Sequence, residues 1–146
     1  MNIKNYTSET PVNTSLGKIE NMLVQIGCTD INKQYRDKFC TGITCLYYDK
    51  QVMQTIPFHF TADTEACFAI LWKEIKRPRE DTKQKTMEQA ARTAWKIISD
   101  LIELQCSMIL MGQGRPLQLF LANMYDVKKK ETLFDKFVGG DIKLLN

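Results

Sequence analysis

Residues 83–111 read KQKTMEQAARTAWKIISDLIELQCSMILM and carry the strongest periodic pattern in the chain. Apolar residues recur there at alternating steps of three and four, which predicts an amphipathic helix. The pattern is made by Met87, Ala91, Ala94, Ile98, Leu101 and Met108, and the stripe is widened by Ala90, Trp95, Ile97, Ile102 and Ile109. A helix of about 28 residues is roughly 42 Å long, which exceeds the width of a domain whose radius of gyration is about 15 Å. We therefore expect this helix either to project or to pack along a second copy, which predicts a homo-oligomer through residues 83–111.

The sequence before this helix predicts one helix followed by three strands. Residues 15–26 have apolar residues at helical spacing, Ser15 is a candidate cap for the first turn, and Gly27 suits the left-handed conformation that ends a helix. Strand-like segments follow at 31–35, 42–48 and 52–60, with a hairpin turn at 49–51. In the third segment, alternation places one set of residues on the same face: Val52, Ile56, Phe58 and Phe60. Because Pro57 has no N–H to donate, we expect the third strand to lie at a sheet edge, or Pro57 to occupy a position that needs no bond.

Further helices are predicted on either side of the long one. Residues 64–75 form a helix that Thr61 or Asp63 caps. After Gly112 and Gly114 end the long helix, the predicted segments are a short helix at 117–124, a charged connection at 126–130, helical turns at 133–138 and a docked apolar tail at 141–146. Runs of strands followed by runs of helices favour an α+β fold. We therefore predict a single α+β domain over residues 1–146, with a small antiparallel three-stranded sheet packed by helices in the order α-β-β-β-α-α(long)-α-α.

The composition is typical of a globular domain. Of the 146 residues, 44% are hydrophobic and 25% are charged, which is close to the averages for such domains. No apolar run approaches the roughly 20 residues that a membrane span requires. Residues 1–12 lack the apolar core of a secretion signal. We therefore expect a cytoplasmic protein with no membrane partner.

The cysteine pattern does not indicate a disulfide framework or a metal site. Five cysteines occur, at Cys28, Cys40, Cys45, Cys67 and Cys106. An odd, irregularly spaced number in a chain without an export signal argues for free thiols. All of them except Cys40 are interpreted as small buried apolar residues. Since no CxxC pair is present and His59 is the only histidine, we expect no structural zinc and no cofactor.

Catalytic chemistry has little support in this sequence, so we assign no catalytic residue. A Cys or Ser nucleophile normally needs a general base, and His59 is predicted on a strand, on the face opposite Phe58 and Phe60, as a surface or half-buried residue. Residues 112–115, GQGR, suit an anion if a helix begins at Pro116. They lack the lysine and Ser/Thr pair of a nucleotide-hydrolase loop, and we interpret them as a turn.

The positive charge is concentrated between Lys73 and Lys96, where eight basic residues accompany four acidic ones. Lys85, Arg92 and Lys96 are spaced by seven and four residues and therefore share one helix face. The candidate phosphate-binding residues are Arg77, Arg79, Lys83, Lys85, Arg92 and Lys96. Several cations on one stripe attract phosphates with a salt-sensitive affinity. The alternative is a solvated, ion-paired face, because Glu88 precedes Arg92 by the four residues that favour a helical ion pair.

The first five predicted elements share their order with double-stranded-RNA-binding domains. That module needs a lysine cluster at the start of its second helix to grip phosphates. Residues 61–65 read TADTE and are acidic. This difference argues against that function.

Several stretches resemble a family of small phage and prophage proteins that has no assigned activity. They are residues 89–96 (QAARTAWK), 100–105 (DLIELQ) and 116–121 (PLQLFL), together with 5–8 (NYTS) and 143–145 (KLL). The chain departs from the family pattern at Leu101, where a second tryptophan is usual, and at 122–125 (ANMY), where a proline and a tyrosine are usual. The resemblance spans nearly the whole chain. It implies a mobile-element context in a bacterial host and brings no site residues.

Three functional hypotheses follow. The first is a non-enzymatic phage accessory protein, with a counter-defence role, that binds nucleic acid or a nucleotide signal through the basic helix face. The second is a protein-binding inhibitor of a host defence protein, with its working surface on the sheet or on the carboxy-terminal helices. The third is a small nucleotide-processing enzyme, which the single histidine disfavours.

Overall fold

The computed structural model describes residues 3–145. Its elements are α1 (Val12–Gln25), β1 (Thr29–Arg36), β2 (Phe39–Asp49), β3 (Gln54–Thr61), α2 (Thr64–Lys73), α3 (Thr82–Leu110), α4 (Pro116–Leu119), a 3₁₀ turn (Leu121–Asn123), β4 (Tyr125–Asp126), β5 (Glu131–Thr132) and α5 (Leu133–Val138). Over the described residues the fold is therefore α+β, with a three-stranded antiparallel sheet and five helices. The predicted fold class and element order, including the long helix, are confirmed.

The first helix begins earlier than predicted, and Ser15 does not cap it. The Pro11 carbonyl accepts hydrogen bonds from the N–H groups of Thr14 and Ser15, so the helix starts at Val12. Ser15 is buried inside the helix, and its hydroxyl has no hydrogen-bond partner among residues 3–145. The predicted end is confirmed, because Gly27 has a φ of 103°, a conformation that favours glycine.

The turn between β2 and β3 corrects the prediction for Val52. The strands end and resume at Asp49 and Gln54, so Val52 lies in the turn and is exposed. The Asp49 carboxylate accepts hydrogen bonds from the N–H groups of Gln51 and Val52 at 2.8 and 3.1 Å. A side chain that binds the backbone two and three residues later holds a turn in place of a strand.

β3 lies at the edge of the sheet, whose strand order is β1-β2-β3, as Pro57 predicts. Ile56, Phe58 and Phe60 alternate on its inner face and are buried. Phe58 also forms an isolated antiparallel bridge with Met124. The segment after α4 therefore covers part of this edge.

One cluster of buried side chains joins α1, the inner face of the sheet and α3. Its fully buried members include Leu16, Ile19, Leu23, Ile43, Phe58, Trp95, Ile102 and Phe120. The Trp95 indole N–H donates to the Cys40 carbonyl oxygen at 3.1 Å, which satisfies its only donor. Phe120 meets Phe58 and Phe60 edge-on, with ring centroids 5.5 and 5.1 Å apart. The core thus lies between the sheet and the layer that contains α1 and α3.

α3 packs against both α1 and α2. Asp63, one of the two predicted caps, holds the start of α2 by accepting from the Ala66 N–H at 2.9 Å. α2 ends at Lys73, two residues earlier than predicted, and α3 spans 29 residues. The long helix is therefore built into the fold on one face of both halves, with Ile102 and Cys106 of its second half buried in the core, and does not project freely.

The segment over 117–130 differs from its prediction. A four-residue α4 and a 3₁₀ turn replace the single helix expected over 117–124. The expected charged connection is the turn of a small β4–β5 hairpin. Its Asp126 carboxylate accepts from the N–H groups of Lys128 and Lys129, both at 3.1 Å. These local side-chain bonds order a stretch that has no hydrophobic period.

The tail was predicted to dock, and this prediction is wrong for its last leucines. Leu144 and Leu145 are 79% and 90% exposed, and Asn146 lies outside the described residues. α5 ends as predicted before Gly139. At its start, Thr132 and Asp135 exchange side-chain to backbone hydrogen bonds in a capping box.

Candidate functional site

The six predicted phosphate-binding residues lie in three different environments. Three are exposed, in the α2–α3 connection or in the first turn of α3, and form no ion pair within the described residues: Arg77, Arg79 and Lys83. Lys85 and Lys96 are ion-paired, and Arg92 is hydrogen-bonded within the protein. The structure therefore does not present the predicted face as one open basic stripe.

Lys85 and Lys96 are each paired with an acid on or next to their own helix. Lys85 Nζ lies 2.7 Å from Asp81 Oδ2, and Lys96 Nζ lies 2.8 Å from Asp100 Oδ1. The Asp81 carboxylate holds the pKa of Lys85 above its ordinary value. Partial burial raises the pKa of Asp100, but hydrogen bonds from Lys96 and Asn5 outweigh it and lower that pKa to about 2. At these two positions the ion-paired alternative describes the structure.

Arg92 does not form the expected ion pair with Glu88. Its Nε donates to the Ser8 carbonyl at 3.4 Å, and its Nη2 donates to Gln89 Oε1 at 2.7 Å. Glu88 instead accepts from the Gln84 side chain at 3.1 Å. A guanidinium has five N–H donors, so three remain open to a ligand after the contacts within the described residues.

Residues 3–10, which we call the strap, cross the polar face of α3. Gln89 Nε2 donates to the carbonyl oxygens of Tyr6 and Ser8 at 3.3 and 3.0 Å, and Thr93 Oγ1 donates to that of Tyr6 at 3.2 Å. Two side-chain bonds extend this contact, from Tyr6 to Glu74 and from Asn5 to Asp100. Part of the face predicted to bind phosphate therefore holds the backbone of the chain itself.

A cleft of about 450 Å³ opens beside Arg92. Residues 9–13 form one wall, the β1–β2 turn forms the second, and α3 forms the third. Its two cations are Arg92 and Lys38, and its two acids are Glu9 and Glu88. This volume lies within the range of small-molecule sites.

The apolar part of the cleft is aromatic. Tyr35 is 55% exposed at the rim, Phe39 is half-buried, and Trp95 closes the base at 1% exposure. The bond from Trp95 to the Cys40 carbonyl keeps the indole in place. The exposed Tyr35 ring is the surface on which a planar group can stack.

No family model, curated protein or solved structure matches this chain. None of the helices among residues 3–145 combines the length and the apolar character that a membrane span requires. In the same part of the chain, no group of three or more His, Cys, Asp or Glu side chains is arranged to hold a metal ion.

Lys38 reaches the cleft from a tight turn that favours glycine. Arg36 pairs with Phe39, so Asp37 and Lys38 are the two turn residues, with φ angles of 51° and 72°. A two-residue turn with both φ angles positive suits Asn-Gly or Asp-Gly. Asp tolerates this conformation, whereas a lysine there costs about 1 kcal/mol. Lys38 lies outside the basic region and was not predicted from the charge pattern, although an Asp-Lys turn between two strands was the available signal.

The single histidine lies on the outer face of the sheet, half-buried as predicted. His59 Nδ1 is 2.9 Å from Thr44 Oγ1, and its ring stacks on Tyr125 with centroids 4.4 Å apart. Burial lowers the pKa of His59 and so favours the neutral ring. A Cβ at Gly42 would come within 2.6 Å of the same ring, so that position requires glycine. These contacts give His59 a packing role between the sheet and β4.

All five cysteines are free thiols, as predicted. Cys28, Cys40, Cys45 and Cys106 are buried, whereas Cys67, predicted to be buried, is half-buried. Burial raises the pKa of Cys106 to about 11. A buried thiol with a raised pKa is unreactive, so the buried cysteines act as small core residues.

Residues 112–115 form a turn after α3, as predicted. Arg115 Nη2 lies 2.9 and 2.7 Å from the two carboxylate oxygens of Asp49, which is 2% exposed. The Val52 N–H, the Gln51 N–H and Arg115 together lower the pKa of Asp49 despite its burial. Arg115 thus ties the end of α3 to the β2–β3 turn, and its charge is used within the fold.

Proposed function

We propose that the protein is a non-enzymatic accessory protein of a phage or mobile element that binds a phosphate-bearing ligand in the cleft between Arg92 and Lys38. The observation that carries this proposal is the convergence of these two cations with the exposed ring of Tyr35 at one cleft. Charge-assisted hydrogen bonds from a guanidinium and an ammonium group suit a phosphate. An aromatic face beside them suits a nucleobase. A nucleotide, free or as one unit of a nucleic acid, matches both features.

The acids of the cleft restrict the ligand further. Glu9 and Glu88 equal the number of cations lining it, so the cleft has no net positive charge. A bare phosphate therefore gains little attraction there. A nucleotide also offers the N–H donors of its base, which a carboxylate accepts. We expect nucleotides to bind more tightly than inorganic phosphate.

The exposed cations at the α2–α3 connection and the start of α3 provide a test of whether the ligand is a polymer or a single nucleotide. Arg77, Arg79 and Lys83 lie outside the cleft lining. A nucleic acid strand that contacts them gains a salt-dependent affinity. A free nucleotide held in the cleft does not depend on them. The ion-paired Lys85 and Lys96 contribute least.

In a phage or mobile element, ligand binding of this kind would have one of two biological roles. A small protein of this kind in the bacterial host cytoplasm would either bind nucleic acid during replication or sequester the nucleotide signal of a defence system. The resemblance to phage and prophage proteins supports this context. The cleft at Arg92 favours the nucleotide form of the hypothesis.

The decisive experiment is titration calorimetry with a panel of inorganic phosphate, mononucleotides, cyclic dinucleotides, ADP-ribose and short DNA and RNA strands over a salt series. Lys38→Gly removes one cation while relieving the turn, and Arg92→Ala removes the other. We expect each variant to weaken nucleotide binding at least about tenfold, with Lys38→Gly raising the urea midpoint. The matched control is Lys128→Ala, which removes an exposed lysine from the β4–β5 turn.

Two results would overturn the proposal. One is the absence of binding across the whole panel at low salt. The other is a ligand that binds Lys38→Gly and Arg92→Ala as tightly as the wild type. A third result would move the site. If only DNA or RNA strands bind, and the triple variant Arg77→Ala, Arg79→Ala, Lys83→Ala no longer binds them, the site is the α2–α3 connection with the start of α3, and the cleft is not the site.

A second candidate function, a protein-binding inhibitor of a host defence protein, is favoured by the apolar surface at the carboxy terminus. Phe134, Phe137 and Val138 on α5 are 61%, 45% and 68% exposed. Exposed aromatic residues of this kind are typical of protein interfaces. A host protein captured at high salt by the wild type and by Arg92→Ala, and released by Phe134→Asp, would support this function instead.

A further inference from the structure

The second half of α3, together with the capping residue Met111 that follows it, carries an exposed apolar stripe, which we call the open stripe. It consists of Ile97, Leu101, Leu104, Met108 and Met111. Leu101, Leu104 and Met111 are 49%, 63% and 76% exposed, and the other two are half-buried. The five residues are separated by steps of four, three, four and three. They therefore lie on one face over about 21 Å of helix.

The stripe is open because α2 is short. α2 has 10 residues against the 29 of α3, and it packs on α3 near the connection between the two helices. Upstream on the same face, Ala90 and Ala94 are buried at 0% and 4% exposure. The apolar face thus continues past the point where its cover within the described chain ends.

The spacing of the stripe matches the seam of a coiled coil, in which steps of four and three keep apolar residues facing a partner helix. The spacing is also self-complementary. In an antiparallel pair that crosses at Leu104, Leu101 faces Met108 of the second copy, and Ile97 faces its Met111. Every layer of such a pair is apolar.

The charges beside the stripe are neutralised within each copy. Lys96 pairs with Asp100 at 2.8 Å, and Lys18 of α1 pairs with Glu103. The stripe itself carries no charged residue. Two copies can therefore approach without like-charge repulsion, whereas a strongly charged partner gains nothing from this surface.

We propose that the open stripe is the interface of a two-fold symmetric homodimer, in which α3 pairs antiparallel with α3 of a second copy and crosses it at Leu104. This narrows the predicted contact from the whole of residues 83–111 to residues 97–111. Stable interfaces bury about 800 Å² per partner, and a five-residue stripe on one helix is smaller. The dimer is therefore weak and concentration-dependent, and it does not depend on the ligand proposed above.

Sedimentation equilibrium across the micromolar range tests the interface. Leu104→Glu places a charge at the crossing point, and we expect it to weaken dimerisation at least about tenfold. Leu110→Glu is the matched control, because Leu110 is 58% exposed on the opposite side of the same helix. We expect this variant to dimerise like the wild type. Circular dichroism confirms that both variants keep their helix content.

Oxidative cross-linking tests the orientation. In the antiparallel pair, Leu104→Cys brings two thiols together and gives a covalent dimer, whereas Leu101→Cys does not. A mixture of Leu101→Cys and Met108→Cys chains cross-links as a heterodimer. A wild-type monomer at all concentrations, or a Leu104→Glu variant that dimerises like the wild type, overturns the interface. Efficient self-cross-linking of Leu101→Cys overturns the antiparallel arrangement.

Discussion

The two halves of α3 differ on the face that points away from the core. In residues 82–96, Thr86 and Thr93 are buried at 7% and 4% exposure. In residues 97–110, Leu101 and Leu104 are 49% and 63% exposed. One helix with one continuous pattern thus buries threonines at one end and exposes leucines at the other.

The difference follows from the neighbours of each half. Thr86 donates to the Thr82 carbonyl and Thr93 donates to the Tyr6 carbonyl of the strap, at 2.7 and 3.2 Å. Buried polar groups are tolerated when they are hydrogen-bonded. The strap reaches the second half only at Asp100, through Asn5 and Lys4, and the apolar residues beyond that point have no cover on that side within the described chain. Burial along this helix is therefore decided by what packs on it.

The largest difference in the free energy of unfolding should separate two truncations, one of a buried residue in the first half and one of an exposed residue in the second half. Trp95→Ala removes a fully buried indole and should lower the free energy of unfolding by about 3–5 kcal/mol. Leu104→Ala removes an exposed side chain and should change it by less than about 0.5 kcal/mol. Urea unfolding at low protein concentration, where any dimer has dissociated, measures both. A loss of stability for Leu104→Ala that approaches the loss for Trp95→Ala would show that Leu104 is covered and that the open stripe does not exist.

Asp100, at the junction of the halves, should give stability a pH dependence. Its pKa is about 2 in the folded protein against an ordinary value of 3.8. Because the folded pKa is the lower one, its contribution is present above pH 3.8 and is lost as the pH falls through about 2. Allowing for its partial exposure, we expect about 1 kcal/mol.

The measurement is urea unfolding of wild type and Asp100→Asn from neutral to acidic pH. The difference in free energy of unfolding should shrink as the pH falls. Glu80→Gln, at an exposed acid of the α2–α3 connection, is the control. A difference that is constant with pH would show that the contacts of Lys96 and Asn5 with Asp100 contribute the same stability whether or not Asp100 is charged.

Gln89→Leu should detach the strap from the first half at a small cost in global stability. Its side-chain amide donates to the Tyr6 and Ser8 carbonyls, and each such hydrogen bond contributes about 1 kcal/mol or less. Hydrogen exchange of residues 5–10 should become several-fold faster, while the core of α3 stays protected. Exchange that is unchanged in the strap would show that Thr93 and Arg92 suffice to hold it.

Lys85→Ala should have the smallest effect. Its ion pair with Asp81 is exposed at both partners, 74% and 60%, and exposed pairs contribute little to stability. We expect no measurable change in the urea midpoint, and no change in nucleotide affinity because Lys85 lies outside the cleft at Arg92. A clear loss of binding in this variant would return the site to the predicted helix face.

The predictions that succeeded concern signals that act over a few residues. Gly27 ends a helix because its φ is positive, Pro57 marks an edge strand because it lacks an N–H, and Asp63 caps a helix with its carboxylate. Two of those that failed concern residues with two local roles open to them. Ser15 was assigned to a cap and lies in the core, and Val52 was assigned to a strand and lies in a turn.

The candidate site was only partly predictable. Arg92 was identified from its charge and spacing, whereas Lys38 comes from a turn more than fifty residues away in the chain. The strap left no pattern, because Gln89, Arg92 and Thr93 bind its backbone carbonyls. Any residue supplies such a carbonyl, so the strap's own sequence does not mark this contact.

Local signals in the chain were enough to predict the α+β class, the order of the first helix, the three sheet strands, α2 and α3, the edge position of β3 and the length of α3. These follow from periodicity and from turn and cap residues, which depend on neighbours within a few positions. Three features depend instead on the folded arrangement: the strap covers part of the basic face, Lys38 joins Arg92 at one cleft, and one face of the second half of α3 is open. These features depend on which distant segment of the chain packs against each surface. A local sequence pattern does not contain that information, because it reflects only neighbours within a few positions.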